Sequence, residues 1–218
     1  MNKYSQIKIG VFDSGVGGLS VVNAIKKQLP DVKVIYKDDS VHVPYGNRTK
    51  KEIYGFVLPI LLDLESEGCD VIVIACNTVT TNLISELRQQ IKVPLIGMEP
   101  MVKQASSLTN TGVIAVCATP LTLKSQRYNN LKQQYAKNVK VLEPDCSDWS
   151  SMIETKKVDV KNIENRIQTC LEKKADVIVL GCTHYHWIEQ LIKSIVQDKA
   201  QVLQPEGPVI KQLKKVLN

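Results

Sequence analysis

A chain of 218 residues, 44% apolar and 23% charged, can form one large domain or two small ones around a real core. Its net charge of +6 does not mark a nucleic-acid partner, because the lysines are scattered over helix-like stretches such as 211–215 and 49–51. Two Phe and two Trp supply no stacking platform for bases. No apolar run reaches a membrane span, and "MNKYSQIKIGVFD" leads straight into a strand pattern. The expectation is a cytoplasmic protein, with neither membrane nor nucleic acid as partner and with its cysteines reduced.

Strand-length apolar runs then alternate with amphipathic stretches. Strands are expected at 7–13, 32–38, 70–76, 93–98, 112–118, 139–144, 176–182 and 201–204. Between them, apolar residues recur at helical spacing, as in Leu19, Val22, Ile25, Leu29 and again in Ile163, Ile167, Cys170, Leu171. Val/Ile runs without polar alternation imply strands covered on both faces, hence a parallel α/β sheet. The phrase "DVIVIAC" (70–76) returns as "DVIVLGC" (176–182). The fold expected is therefore two similar parallel-sheet α/β domains facing each other across a central cleft. Pro and Gly at 97–100 and 204–208 mark the crossings. They give an N-terminal domain of 1–98 plus 208–218, carrying Cys76, and a second domain of 99–207, carrying Cys182.

Each repeated strand ends in a cysteine followed by hydrogen-bonding residues: Asn77 and Thr78 after Cys76, Thr183 and His184 after Cys182. At a strand-to-helix junction the free N–H groups and positive helix end favour thiolate over thiol. A thiol with a pKa of about 8.5 can there serve as a base near neutral pH. Cys69, Cys117 and Cys170 read as small hydrophobes, and Cys146 has no account from sequence.

Three chemistries compete. Cys182, His184 and His186 form a C-x-H-x-H array for a metal, but the other half has no matching histidines. A redox pair needs Cα atoms within about 7 Å, which a substrate-sized gap forbids. In the third, one thiolate removes a proton from one face of a bound molecule and the other thiol returns one to the opposite face. The repeat supplies the two equivalent groups this last chemistry needs, and it favours that reading over a metal.

The turn "FDSGVGGLS" (12–20) opens a helix but has neither dinucleotide glycine spacing nor a Walker lysine. Asp13 with Ser14 suits a cationic group, and helix-start amides around 15–18 and 77–79 suit carboxylates. An ammonium and a carboxylate together describe an amino acid.

The stretches "IGVFDSGVGGLSV" (9–21), "VPYGNRTKKEI" (43–53), "VIACNT" (73–78), "PLIGMEP" (94–100) and "LGCTHY" (180–185) resemble, in order, those of the glutamate racemases in the aspartate/glutamate racemase superfamily. The resemblance implies a cofactor-independent isomerase of two α/β domains, acting on glutamate and supplying D-glutamate for peptidoglycan. It implies Cys76 and Cys182 as acid/base thiols, with Asp13 assisting Cys76 and His184 assisting Cys182. Ser14, Pro44, Tyr45, Gly46, Asn77, Thr78 and Thr183 map to substrate-holding positions, and Thr119 and Thr122 to the "ATPLTLKSQRY" (118–128) segment that faces the ligand. Glu154 is the expected auxiliary carboxylate near the second thiol, and a homodimer the expected assembly.

The chain departs from the pattern at His186, where the family has proline, at Asp38-Asp39-Ser40, at Pro205-Glu206-Gly207 and in a shorter C-terminus. Alternatives on the same fold are a racemase of aspartate or another small acid, or a non-catalytic binding protein.

Overall fold

The structure, a computed structural model, describes residues 6–217. It divides into two compact units: one runs to Met98 and resumes at Glu206, the other is Glu99–Pro205. The return falls two residues before the 208 read from sequence, because the last helix starts at Glu206.

In the first unit β1 (Lys8–Asp13), β2 (Lys33–Asp38), β3 (Val71–Ile74) and β4 (Leu95–Gly97) form a parallel sheet in the order β2-β1-β3-β4. In the second, β5 (Val113–Cys117), β6 (Lys140–Leu142), β7 (Val177–Leu180) and β8 (Gln201–Leu203) repeat it as β6-β5-β7-β8. Both halves are thus α/β, with the same strand order. The strand VIVI of β3 and VIVL of β7 are buried at every position, as strands covered on both faces must be.

Helices cover the sheets. In the first unit these are α1 (Leu19–Gln28), α2 (Lys50–Ser66) and α3 (Asn77–Gln90). Thr49 and Glu52 close α2 at its start with a reciprocal capping box. The second unit carries α4 (Val102–Leu108), α5 (Pro120–Lys124), α6 (Gln126–Tyr135), α7 (Trp149–Glu154), α8 (Val160–Glu172) and α9 (Glu189–Val196). The final α10 (Glu206–Val216) returns to the first unit and buries Val209, Ile210 and Leu213 in one cluster with Val21, Val22 and Ile25 of α1. Among the described residues no helix is long and apolar enough to cross a membrane.

The strands are shorter than expected at the ends that matter. β3 stops at Ile74 and β7 at Leu180, so Cys76 and Cys182 lie two residues beyond, at the entries to the following helices. One further bond carries each sheet past the strand: Ala75 N–H donates to Phe12 O (2.8 Å) and Gly181 N–H to Cys117 O (2.7 Å). Because β1 and β3, and likewise β5 and β7, are adjacent yet connected to opposite sides, these ends are the switch points where open parallel sheets bind ligands.

Close helix–sheet packing at this end depends on Gly97. A Cβ there would sit 2.5 Å from Ile84 Cδ1 and from Thr80 Cγ2, both on α3. Gly97→Ala is expected to cost about 1–3 kcal/mol, read as a lower denaturation midpoint with unchanged slope. An unchanged midpoint would mean that α3 does not rest on β4 as closely as described.

Candidate active site

The first unit builds its site from the ends of β1 and β3. Cys76 is the extended N-cap of α3, and its buried Sγ lies 3.5 Å from Ser14 Oγ. Asp13, fully buried, turns one carboxylate oxygen onto the Gly18 N–H (2.8 Å). The glycine turn is therefore not wholly open to an anion, since Asp13 takes one of its amides. The turn needs Gly18: a Cβ there would lie 2.6 Å from Asp13 Cβ and 2.9 Å from the Tyr36 ring. Tyr36 in turn donates its hydroxyl to Gly15 O (2.5 Å).

A second loop closes over this end. Asp39 N–H donates to Asp13 O (3.3 Å), and the Asp39 carboxylate accepts from Tyr45 Oη (2.5 Å) and meets His42 Nδ1 (2.7 Å). The His42 ring stacks on Phe56 at 3.8 Å between centroids. Burial, then the bond to Asp39, holds the Tyr45 hydroxyl protonated far above its ordinary range. Pro44, after a cis peptide, and Gly46 flank Tyr45 and are half-buried. Asp39 was visible in the sequence only as part of a departure from the family pattern. Its role comes from pairing with residues three and six positions on, which no periodicity announces.

Beside Cys76, Asn77 and Thr78 are buried in the first turn of α3. Both the Nδ2 and Oδ1 of Asn77 lack a hydrogen-bond partner among the described residues, although the residue is only 2% exposed. A buried amide without a partner costs about 1–3 kcal/mol, which a bound polar group would recover.

The second unit carries the equivalent thiol with different helpers. The shared sheet bond sets Cys182 in the place of Cys76, and Ala118 and Thr119 in the places of Asp13 and Ser14. A carboxylate at the strand end is thus replaced by a methyl. The charge arrives instead from α7: Glu154 Oε1 is 2.6 Å from His184 Nε2, and His184 Nδ1 is 3.7 Å from Cys182 Sγ. With Nε2–H held by the carboxylate, Nδ1 faces the sulfur and can take its proton or return one. Ser150 Oγ, also on α7, is 3.5 Å from the same sulfur. Sequence reading passed over Ser150, which lies 32 positions from Cys182 in a polar stretch without a motif.

The remaining candidates are placed as follows. Thr183 is buried directly after the thiol. Thr119 caps α5, accepting from Thr122 N–H (3.3 Å) and donating to Thr122 Oγ1 (3.0 Å), so both hydroxyls already serve the turn after β5. His186 Nδ1 lies 3.2 Å from Gln204 Nε2 and 3.7 Å from Glu189 Oε2, while His184 is directed to Glu154. The C-x-H-x-H residues therefore diverge, and no group of three or more His, Cys, Asp or Glu among the described residues is placed to hold a metal. Cys146, without an account from sequence, is buried and offers its carbonyl to Tyr185 Oη (2.9 Å). Burial pushes its thiol well above the usual range and that of Cys170 up to about 12, so neither is a base near neutrality.

Duplication of a parallel α/β unit around a thiol at one strand end points to a class, the two-domain α/β racemases. Comparison with known proteins reaches the family. Residues 9–206 match the family described as Asp/Glu/hydantoin racemase, and the chain belongs to that family. It is 36% identical to a glutamate racemase of Ectopseudomonas mendocina, over 98% of this chain and 83% of that one. It is 37% identical to the glutamate racemase of Methylococcus capsulatus, over 96% and 79%. Among solved structures it resembles Escherichia coli glutamate racemase in complex with L-glutamate and the activator UDP-MurNAc-Ala, at a TM-score of 0.88 and 27% identity, covering 97% of this chain and 82% of that one. It likewise resembles the Francisella tularensis enzyme in complex with D-glutamate, with a TM-score of 0.82, 29% identity and coverage of 98% and 81%.

Proposed function

We propose that this chain interconverts L- and D-glutamate without a cofactor, with Cys76 and Cys182 as the acid/base pair. The observation that carries the reading is the recurrence of a buried thiol at the same strand end of both units, each with a hydroxyl at 3.5 Å, with Asp13 at the adjoining strand end in the first and Glu154 one imidazole away in the second. Relatives named glutamate racemase at 36–37% identity supply the substrate.

Inversion at the α-carbon needs a base on one face and an acid on the other. One thiolate takes the α-proton and becomes a thiol. The opposite thiol gives its proton to the other face of the carbanion and becomes a thiolate. Atoms and charge balance, and the two thiols exchange roles in the reverse reaction. The α-proton is very weakly acidic, so the substrate carboxylate must be met by donors as charge builds on it. Asn77, Thr78 and Thr183 are the residues assigned to that task, and the unpartnered Asn77 amide supports it. Ser14, Tyr45 and Gly46 hold the substrate from the β1 side, with Pro44 shaping the same loop. Thr119 and Thr122 act through the α5 turn they build. Asp13 serves Cys76, and Glu154 serves Cys182 through His184. The product, D-glutamate, serves peptidoglycan synthesis, and the setting is cytoplasmic.

Circular dichroism tests the substrate. A solution of pure L-glutamate is expected to lose its optical signal to zero on incubation with the protein, and D-glutamate to do the same. L-Aspartate is expected to keep its signal on that timescale. Loss of the aspartate signal with retention of glutamate's would reassign the substrate.

A further inference from the structure

Short α7 carries two residues that converge on one centre: Ser150 near the Cys182 sulfur, and Glu154, a helical turn later, on His184. We propose that Ser150 is a positioning residue for Cys182, a hydroxyl that donates to its thiolate and brings its proton affinity down toward that of Cys76. This rests on the acid–base reading above.

Cys182 needs such a donor. The Glu154–His184 pair places a carboxylate one imidazole away from the sulfur, and nearby negative charge disfavours thiolate. A charge-assisted bond from a neutral hydroxyl offsets that penalty without adding a second titrating group. The first unit has the same balance by another route, with Ser14 at 3.5 Å from Cys76 and Asp13 next to it. The repeat is thus restored in chemistry although α7 has no counterpart in the first unit's sequence. Matched thiols suit a reaction whose two ends are mirror images, because each must serve as base in turn.

Ser150 has a second acceptor, which makes its bond responsive to charge. It lies in hydrogen-bond contact with Tyr185, whose own proton goes to Cys146 O (2.9 Å). Burial keeps Tyr185 protonated, so that donation persists and its oxygen remains an acceptor. A Cys182 thiolate is the stronger, charged acceptor for the Ser150 proton.

The other groups facing this centre are His184, Glu154 behind it, Tyr185, and the buried Cys117 and Cys146 of the same core. Asp148, the N-cap of α7, is held by Arg166 (2.6 Å) and Asn162 (3.2 Å), and Asn162 also accepts from Trp149 Nε1 (3.2 Å). These bonds fix α7 to α8 and so fix Ser150.

The test is the pH dependence of iodoacetamide alkylation at each thiol, read by peptide mass spectrometry in wild type and Ser150→Ala. The variant is expected to raise the Cys182 midpoint by about one pH unit, the scale of one lost charge-assisted bond, and to leave Cys76 in place. Its kcat/KM for glutamate is expected to fall about tenfold near neutrality and to recover as pH rises. An unmoved Cys182 midpoint, equal movement of both thiols, or a moved midpoint without a moved kcat/KM profile overturns the proposal. Alkylation needs no substrate, so a protein inactive on glutamate would refute the reading above while leaving this measurement decisive.

Discussion

Cys76→Ser and Cys182→Ser are each expected to lower racemisation of glutamate by roughly 10³-fold, the scale of one lost general acid or base. A serine hydroxyl is nearly isosteric with the thiol but far less acidic, so the proton carrier is lost while the packing is kept. Both thiols are buried at helix entries without a cap bond from the side chain, so folding is expected to survive. In each variant the two-thiol reading leaves one thiolate, serving one face of the α-carbon. Slow α-proton exchange of a single enantiomer is therefore expected, opposite in the two variants. Turnover near wild type in either variant would remove that cysteine from the mechanism.

Trp149→Ala is expected to carry the largest cost in stability, about 3–5 kcal/mol. The indole is fully buried, meets the Tyr185 ring edge-on at 5.1 Å and 68°, and donates its N–H to Asn162. Truncation leaves a cavity in the core cluster that also contains Cys146, Cys182 and Ile188. Tyr185 follows His184 directly, and Trp149 begins the helix that holds Ser150 and Glu154. Lost activity is therefore expected alongside a lowered denaturation midpoint, with the midpoint falling by the larger factor in equilibrium constant. A variant as stable as wild type would contradict the placement of this side chain at the centre of the second core.

The fold was legible because its signals are local. Unbroken apolar, Val/Ile-rich runs at 71–74 and 177–180 read as strands covered on both faces, and the repeated phrase announced the duplication. The thiols were legible for the same reason, each standing next to its strand. The carboxylate at Asp13 was visible because it ends a strand and opens a glycine turn.

What escaped is the part built from distant segments. Nothing in "SDWSSMIE" marks Ser150, whose partner is 32 positions away. Glu154 was reachable only through the family resemblance, and Asp39 not at all, because the bonds that define it are made in three dimensions. The repeat covers the thiols but not their helpers: Ala118 stands where Asp13 does, and α7 brings the charge instead.

The most direct test of paired thiols is early-time racemisation of L-glutamate in heavy water, with both enantiomers separated and their α-carbons analysed by mass. The two-thiol account predicts D-glutamate bearing deuterium from its first appearance, while the remaining L-glutamate keeps its protium. Protium in the new D-glutamate, or deuterium entering the remaining L-glutamate as fast as product forms, would contradict it and leave a single base acting on both faces.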